Sequence, residues 1–429
     1  MINLILFGSF FVLLFLNIPI AICLGMSSIF AMIYAGDKLS TIAINTYSGM
    51  SKFLLLAIPF FVLSGNIMAK AGISSRLIAF VDSCVGHRRG GIAIVAVLVA
   101  LLFGAISGSG PATVAALGII LIPAMIDRGG FSPDFSSAMM ATASSVAIVI
   151  PPSIAFVVYS SITDVSVGDM FMGGIVPGLM MGAALIIVIL LEVKNKKITN
   201  TREPAPWGKR WKAFLTAFWG FLMPVIILGG IYGGIFTPTE AAAVAVVYGL
   251  IVGAFIYRDV SWKDLGDILV DSGKTSGTIM LIIGTATLFS YVCTVHGISQ
   301  AAQSLLLSIS GNKYIFLLIV NVIFLIAGCF VDANSAMYIF IPIMFPVAKQ
   351  LGIDPVQFGV IATVNLAIGQ VTPPVGVNLF VAIGIKIREG IRVTIASISK
   401  AVWPMILACI VVLLLVTYVP WFSLVFLGR

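Results

Sequence analysis

This 429-residue chain has very little charge: Asp, Glu, Lys and Arg make up 9% of it, against 60% hydrophobic residues. A soluble protein needs a polar surface, and too few polar residues are present to build one. Histidine is nearly missing, with only His87 and His296, which excludes a typical His-ligated metal centre. The cysteines, Cys23, Cys84, Cys293, Cys329 and Cys409, are scattered and odd in number. They form neither a disulfide framework nor a metal-binding spacing, and read as small apolar packing residues. No nucleophile elbow, phosphate loop or dinucleotide fingerprint occurs. What remains is the composition of a helical membrane protein, with mean hydropathy +1.16. The apolar run 2–16 lacks a basic leader and a small-residue cleavage site, so it reads as a first spanning helix and not a removed signal peptide.

A net charge of +8 raises the question of nucleic acid. Its distribution answers no. The densest basic block, 194–212, holds seven Lys/Arg and one Glu, and in a membrane protein such a block is a cytoplasmic linker within reach of anionic membrane lipid. Charge-free runs predict spans near 2–16, 18–35, 53–69, 136–163 and 171–191, then 213–235, 240–257, 276–295, 357–385 and 402–425. Two further runs, 90–126 and 314–348, are too long for one helix and short for two crossings with a turn. Each is interrupted in its middle, by Ser107-Gly108-Ser109-Gly110-Pro111 and by Asp332-Ala333-Asn334-Ser335. That is the pattern of a re-entrant hairpin, because non-helical backbone at membrane depth is tolerated only where protein or a watery cavity surrounds it.

With the N-terminus outside and both hairpins returning to their own side, the inner loops hold 19 of the 24 Lys/Arg, among them Arg388. Lys38, Lys52, Lys313, Lys349 and Arg429 stay outside. The two halves also resemble each other. "GGFSPDF" at 129–135 parallels "LGIDPVQF" at 351–358, "VIPPSIAF" at 149–156 parallels "VTPPVGVNLF" at 371–380, and "AGIS" at 71–74 parallels "HGIS" at 296–299. Pro133 to Pro151 and Pro355 to Pro373 are both 18 residues apart. We therefore expect an all-α polytopic membrane protein built as an inverted repeat. Residues 1–192 and 213–429 would each supply about five spanning helices and one hairpin, joined by the linker 193–212. Five crossings per half, an odd number, require the inversion, and inverted repeats with interrupted helices are the signature of a secondary transporter.

The tandem prolines Pro151-Pro152 and Pro373-Pro374 should unwind their helices. The carbonyls freed at about 147–150 and 369–372 become oxygen ligands for a hard cation such as Na⁺. The helix that restarts offers N–H groups to a carboxylate. Each hairpin tip is expected to work with the proline break of its own half. Ser107 and Ser109 are candidate ligands; Ser144, Ser145 and Asn365, just before the proline pairs, are weaker ones that equally suit bonding to their own backbone. Asp332 is the only charge between Lys313 and Lys349, and either coordinates a cation or substrate or caps a short hairpin helix. Thr237-Pro238-Thr239-Glu240 reads as a capping box, and His296 as a plain interfacial residue.

Taken together, "GAISGSGPATVAALG", "IPPSI", "FTPTEAAAVAVVYG", "FVDANSAMYIFIPI" and "GQVTPPVGVNLF" resemble the large membrane subunit of the tripartite ATP-independent periplasmic (TRAP) transporters, over nearly the whole chain. The resemblance implies an elevator fold of the ion-transporter superfamily in the bacterial inner membrane. It also implies Na⁺-coupled symport of a small organic acid, with sialic acid and C4-dicarboxylates as the leading substrate classes. The implied partners are a periplasmic substrate-binding protein and a four-helix small membrane subunit, expected here as a separate chain. No enzymatic activity is implied. Na⁺ would lie between the first tip (Ser107, Gly108, Ser109) and the first break (Ser145, Ile150, Pro151). A second ion would lie between the second tip (Asp332, Ala333, Asn334) and the second break (Gly369, Thr372, Pro373). The substrate carboxylate would meet Ser109, Ser153, Asp332, Asn334 and Asn378. Rival readings are a stand-alone Na⁺/carboxylate symporter, the membrane subunit of a sodium-pumping decarboxylase, and a passive channel, which paired tips and breaks suit poorly.

Overall fold

The computed structural model describes residues 1–198, 201–309, 311–387 and 392–428. Arg388 and Arg429, counted above on the inner and outer sides, lie outside the described residues. Those residues form helices and connecting turns, with no strand among them. Seven helices are long and apolar enough to cross a membrane, or eight if Ile395–Ala401 and Trp403–Tyr418, bent by 49°, make one span.

Both expected hairpins are present. The first runs Gly91–Ser107, turns, and continues Gly110–Asp127; the second runs Lys313–Phe330 and Ala333–Gln350. The first turn is made by Gly108, at φ +58, a conformation costly for any residue with a Cβ. Ser109 then opens the second arm in extended geometry, with Pro111 in the first turn where its missing N–H costs nothing. In the second hairpin Val331 and Asp332 are both extended, and Asp332 caps the second arm.

The two proline pairs break their helices as expected. The first broken helix runs Pro133–Ser145, tightens into a 3₁₀ turn at Val146–Ile148 and restarts as Ile154–Thr163. The second runs Pro355–Gly369 and restarts as Val377–Ile383. In the leading segments of both, every residue from Phe135 to Ser145 and from Val356 to Gly369 is buried. A helix apolar all round belongs at the centre of the molecule, and these two occupy it.

Packing around that centre is crosswise. Each first hairpin arm packs on the broken helix of its own half. The restarted segments pack on the other half. Ile154–Thr163 lies on the second hairpin's Ala333–Gln350, where the Ser161 and Tyr338 hydroxyls meet at 2.8 Å. Val377–Ile383 lies on Gly110–Asp127 and Pro133–Ser145. Outside this core stand Ile2–Phe15, Ile20–Ala35, Ala57–Lys70, Trp207–Tyr232, Pro238–Ile251 and Trp262–Val295, which pack largely on one another. Lys52 reaches from this outer group to the core, donating to the Ser161 carbonyl at 2.5 Å.

Several expectations need correction. Helix enters the basic block from both ends: Val167–Asn195 and Trp207–Tyr232 leave 196–206 as the connector between them. The span placed at 276–295 begins fourteen residues earlier. Trp262–Val295 has 34 residues, about 51 Å at 1.5 Å each, so its charged first turns extend beyond a core of about 30 Å. A capping box, Ser261 with Asp264, starts it. Three more helices were not expected: Ser40–Met50 and Ile298–Ile309 are uncharged but too short and too polar to read as spans, and Ile73–Val85 carries Arg76 and Asp82. His296 is not a plain interfacial residue: its Nε2 sits 2.8 Å from Asp37 Oδ2. The Thr237–Glu240 capping box is present as read, with both reciprocal bonds formed.

Candidate transport site

The two hairpin tips line one cavity of about 190 Å³, next to the first proline break. Ser107, Gly108 and Ser109 come from the first tip, Asp332, Ala333 and Asn334 from the second, and Ile148, Ile154 and Ala155 from the break. By length and apolarity Gly110–Asp127 and Lys313–Phe330 could each cross a membrane. Their tips lie against the interrupted centres of the broken helices.

Each tip does meet the break of its own half, as expected. A Cβ on Gly108 would lie 3.0 Å from the Pro152 carbonyl, and one on Gly104 2.8 Å from Ala147 Cα. In the second half, Gly369 and Gly328 touch backbone to backbone: a Cβ on Gly369 would lie 2.5 Å from Gly328 Cα. The Gly376 N–H donates to the Cys329 carbonyl at 3.2 Å. Only glycine lets two helices approach so closely.

The two tips are held differently. In the first, the Ser107 and Thr113 hydroxyls pair at 2.8 Å, and Thr113 donates back to the Ser109 carbonyl at 2.8 Å. In the second, Asp332 Oδ2 accepts from the backbone N–H groups of Asn334 (3.0 Å) and Ser335 (3.3 Å), while its other oxygen accepts from the Ser335 hydroxyl. Of the two readings open for Asp332, capping is thus realised, and the capped carboxylate still borders the cavity.

Helix starts add partial positive charge. Gly110–Asp127, Ala333–Gln350 and Ile154–Thr163 all begin at the cavity. Each helix N-terminus carries about +0.5 of an elementary charge. Among the described residues Asp332 is the only ionisable side chain in the lining.

Other expected ligands lie off the cavity. Ser153 is fully buried and caps Ile154–Thr163, accepting from Phe156 N–H and donating to the Ile148 carbonyl. Asn378 is fully buried and donates to the Ala141 carbonyl at 3.3 Å. It packs behind Gly110, where an added Cβ would meet its amide at 2.8 Å. Ser145 bonds to the Thr142 carbonyl and Thr372 to the Ile368 carbonyl, both one turn back. Ile150 packs on Gly178, and Pro151 and Pro373 shape the breaks without lining the cavity. Asn365 turns its amide to Asn321, which bonds Thr417 in turn. Among the carbonyls expected to be free, Ile148, Gly369 and Gln370 accept from Ser153, the Thr372 N–H and the Asn378 N–H. Ser144 keeps a buried hydroxyl with no partner.

Three polar lining residues escaped the sequence reading. Gln370, 4% exposed, points a partnerless Oε1 toward the first tip. Asn66 and Thr275 enter from the outer helices, and Asn66 donates to Ser272 at 2.8 Å. Gln370 stands beside the quoted "VTPP", so a polar residue abutting a proline break was the available signal. Asn66 had none, because it belongs to a helix remote in sequence.

Residues 7–422 match the family of the tripartite ATP-independent periplasmic transporter, DctM component. The chain belongs to this family. It is 43% identical to the C4-dicarboxylate TRAP transporter large permease protein DctM of Pseudomonas aeruginosa, over 94% of this chain and 92% of that one. It is 34% identical to the sialic acid TRAP transporter large permease protein SiaM of Vibrio cholerae, over 96% and 95%. The isethionate TRAP transporter permease protein DctMQ of Oleidesulfovibrio alaskensis is 41% identical over 99% of this chain and 66% of its own length. In fold the chain is similar to the Alcanivorax borkumensis YdaH transporter, with TM-score 0.64 and 15% identity over 93% of this chain and 89% of that one. It is also similar to Neisseria gonorrhoeae MtrF, with TM-score 0.59 and 14% identity over 88% and 84%. The DctM family consists of transporter permeases and not enzymes, so the chain is a large TRAP permease subunit, which disposes of the decarboxylase reading.

Proposed function

We propose that this permease imports a short organic acid by Na⁺-coupled symport, with the two tips forming the transport site. One observation carries the reading: among the described residues the cavity is bordered by one carboxylate and no cationic side chain, yet three helix starts face it. Helix ends favour an anion by about 0.3–1 kcal/mol each, too little to hold a desolvated carboxylate beside Asp332. A Na⁺ about 4 Å from a carboxylate contributes about 4 kcal/mol at an effective dielectric of about 20. Co-bound Na⁺ therefore supplies the missing positive charge, and neither ion is well held alone. The expected ligands are the hydroxyl and carbonyl oxygens at the first tip and the proline breaks, with Asp332 at the second. The hard oxygens of these groups suit Na⁺.

The cavity lies below the roughly 300–1,000 Å³ of drug-sized sites, which favours a C4-dicarboxylate over a nine-carbon sialic acid. The names of three relatives at 39–43% identity support the same choice, although one at 41% is named an isethionate permease. Residues 1–192 and 213–429 form inverted repeats in this reading, with the N-terminus on the periplasmic side of the inner membrane. The core slides past the outer helices as an elevator. A separate four-helix small subunit and a periplasmic binding protein complete the system.

Uptake into proteoliposomes holding this chain and its small subunit tests the proposal. Succinate, isethionate and sialic acid are offered under an inward Na⁺ gradient, with and without the binding protein. Succinate uptake that needs both Na⁺ and the binding protein is expected. Na⁺-driven uptake without the binding protein would make the chain a stand-alone symporter. Uptake indifferent to Na⁺ would overturn the coupling.

A further inference from the structure

A second cavity, of about 230 Å³, lies at the base of the first hairpin, away from the transport site. Arg88, Arg128 and Arg202 line it together with Gly90 and Gly91. Asp82 is the one acid in the lining, and it lies 3.9 Å from Arg128. Three guanidinium groups against one carboxylate leave about two positive charges. Arg202 is brought in from the connector, its N–H bonded to the His87 carbonyl at 3.4 Å. The helix Gly91–Ser107 starts at the cavity and adds the positive end of its dipole.

The cavity adjoins an apolar surface. Gly90 packs against Val193 and Ile189 of Val167–Asn195. Leu190, three residues before Val193 and so beside it on the helix, is 49% exposed, and its neighbour Leu191 is 54% exposed. A charged pocket for the head and an exposed aliphatic strip for the tail fit one class of molecule. We propose that this cavity binds the phosphate of an anionic phospholipid, with Arg88 and Arg202 gripping its oxygens, Arg128 shared with Asp82, and an acyl chain along Leu190 and Leu191. Forked guanidinium donors match phosphate oxygens, which lysines do not. This inference does not depend on the transported substrate.

Native mass spectrometry of the purified permease complex, titrated with dioctanoyl phosphatidylglycerol or dioctanoyl phosphatidylcholine, tests it. One phosphatidylglycerol should bind with clear preference. Arg88→Gln with Arg202→Gln should weaken that binding about tenfold or more, whereas Arg89→Gln, on an exposed arginine outside the lining, should leave it unchanged. Both altered arginines are exposed, so folding is preserved, and the Arg→Lys pair should recover only part of the affinity. Competition by inorganic phosphate alone would locate the contact at the phosphate group. Equal phosphatidylglycerol retention in wild type and the Gln pair, or no preference over phosphatidylcholine, would overturn the proposal. So would inorganic phosphate binding there while the lipid does not.

Discussion

The two hairpin tips occupy matching places in the chain and face the same cavity, yet they are built from different chemistry. The first is neutral, a hydroxyl relay from Ser107 through Thr113 to the Ser109 carbonyl, turned by a left-handed glycine. The second is charged, with one carboxylate fastening three groups of its own helix start. Their supports differ as well: Gly104 rests on Ala147, whereas Gly328 and Gly369 meet without any side chain between them. Two tips that face one cavity are thus tied in different ways. The asymmetry puts the cavity's single ionisable side chain on one side only.

Removing that charge should have the largest effect. Asp332→Ala removes both charge and cap, and is expected to lower Na⁺-driven uptake more than tenfold. Asp332→Asn keeps an oxygen for capping. If the charge matters more than the cap, the Asn variant retains thermal stability near wild type but still loses at least about tenfold in apparent Na⁺ affinity. Full uptake by either variant would remove Asp332 from the site.

Next comes the backbone contact behind each tip. Gly369→Ala forces a Cβ into Gly328, and overpacking of this kind costs about 1–3 kcal/mol. Gly104→Ala meets Ala147 at a slightly longer distance and should cost less. Apparent melting temperatures in detergent would rank the two, and the reverse order would show that the first tip is the more tightly supported.

Smaller effects separate the fastenings. Thr113→Val breaks the hydroxyl relay, and Ser335→Ala removes one of three bonds to Asp332. Each hydrogen bond is worth about 0.5–1.5 kcal/mol. Thr113→Val should raise the Na⁺ concentration for half-maximal uptake several-fold, and Ser335→Ala should do so less, because two backbone donors remain. Thr237→Ala, in the outer helices, is the control. Loss of its capping box should cost about 1 kcal/mol of stability and leave uptake per folded molecule unchanged.

Much of this was legible in the sequence. Tandem prolines and glycine-rich interruptions are local signals, and they located both tips and both breaks to within a few residues. Capping chemistry is also local, so Thr237–Glu240 was readable. What failed is what depends on distance. Ser153 and Asn378 sit beside the right prolines, but Ser153 and the Asn378 amide N–H are taken by carbonyls across the break and across the fold, while the buried Asn378 Oδ1 stays without a partner. Gln370 and Asn66 reach the cavity only because separate helices bring them there. The long helix Trp262–Val295 was underestimated for another reason: a search for uncharged runs stops at the first Lys, while a helix does not.

The crosswise packing of the restarted segments has one more consequence. Ile154–Thr163 is housed by the second half and Val377–Ile383 by the first, so each half holds a piece of the other. Such an exchange is a clasp. Neither half owns a finished interior, and a chain severed in the connector between Asn195 and Trp207 should yield two fragments that mature only together.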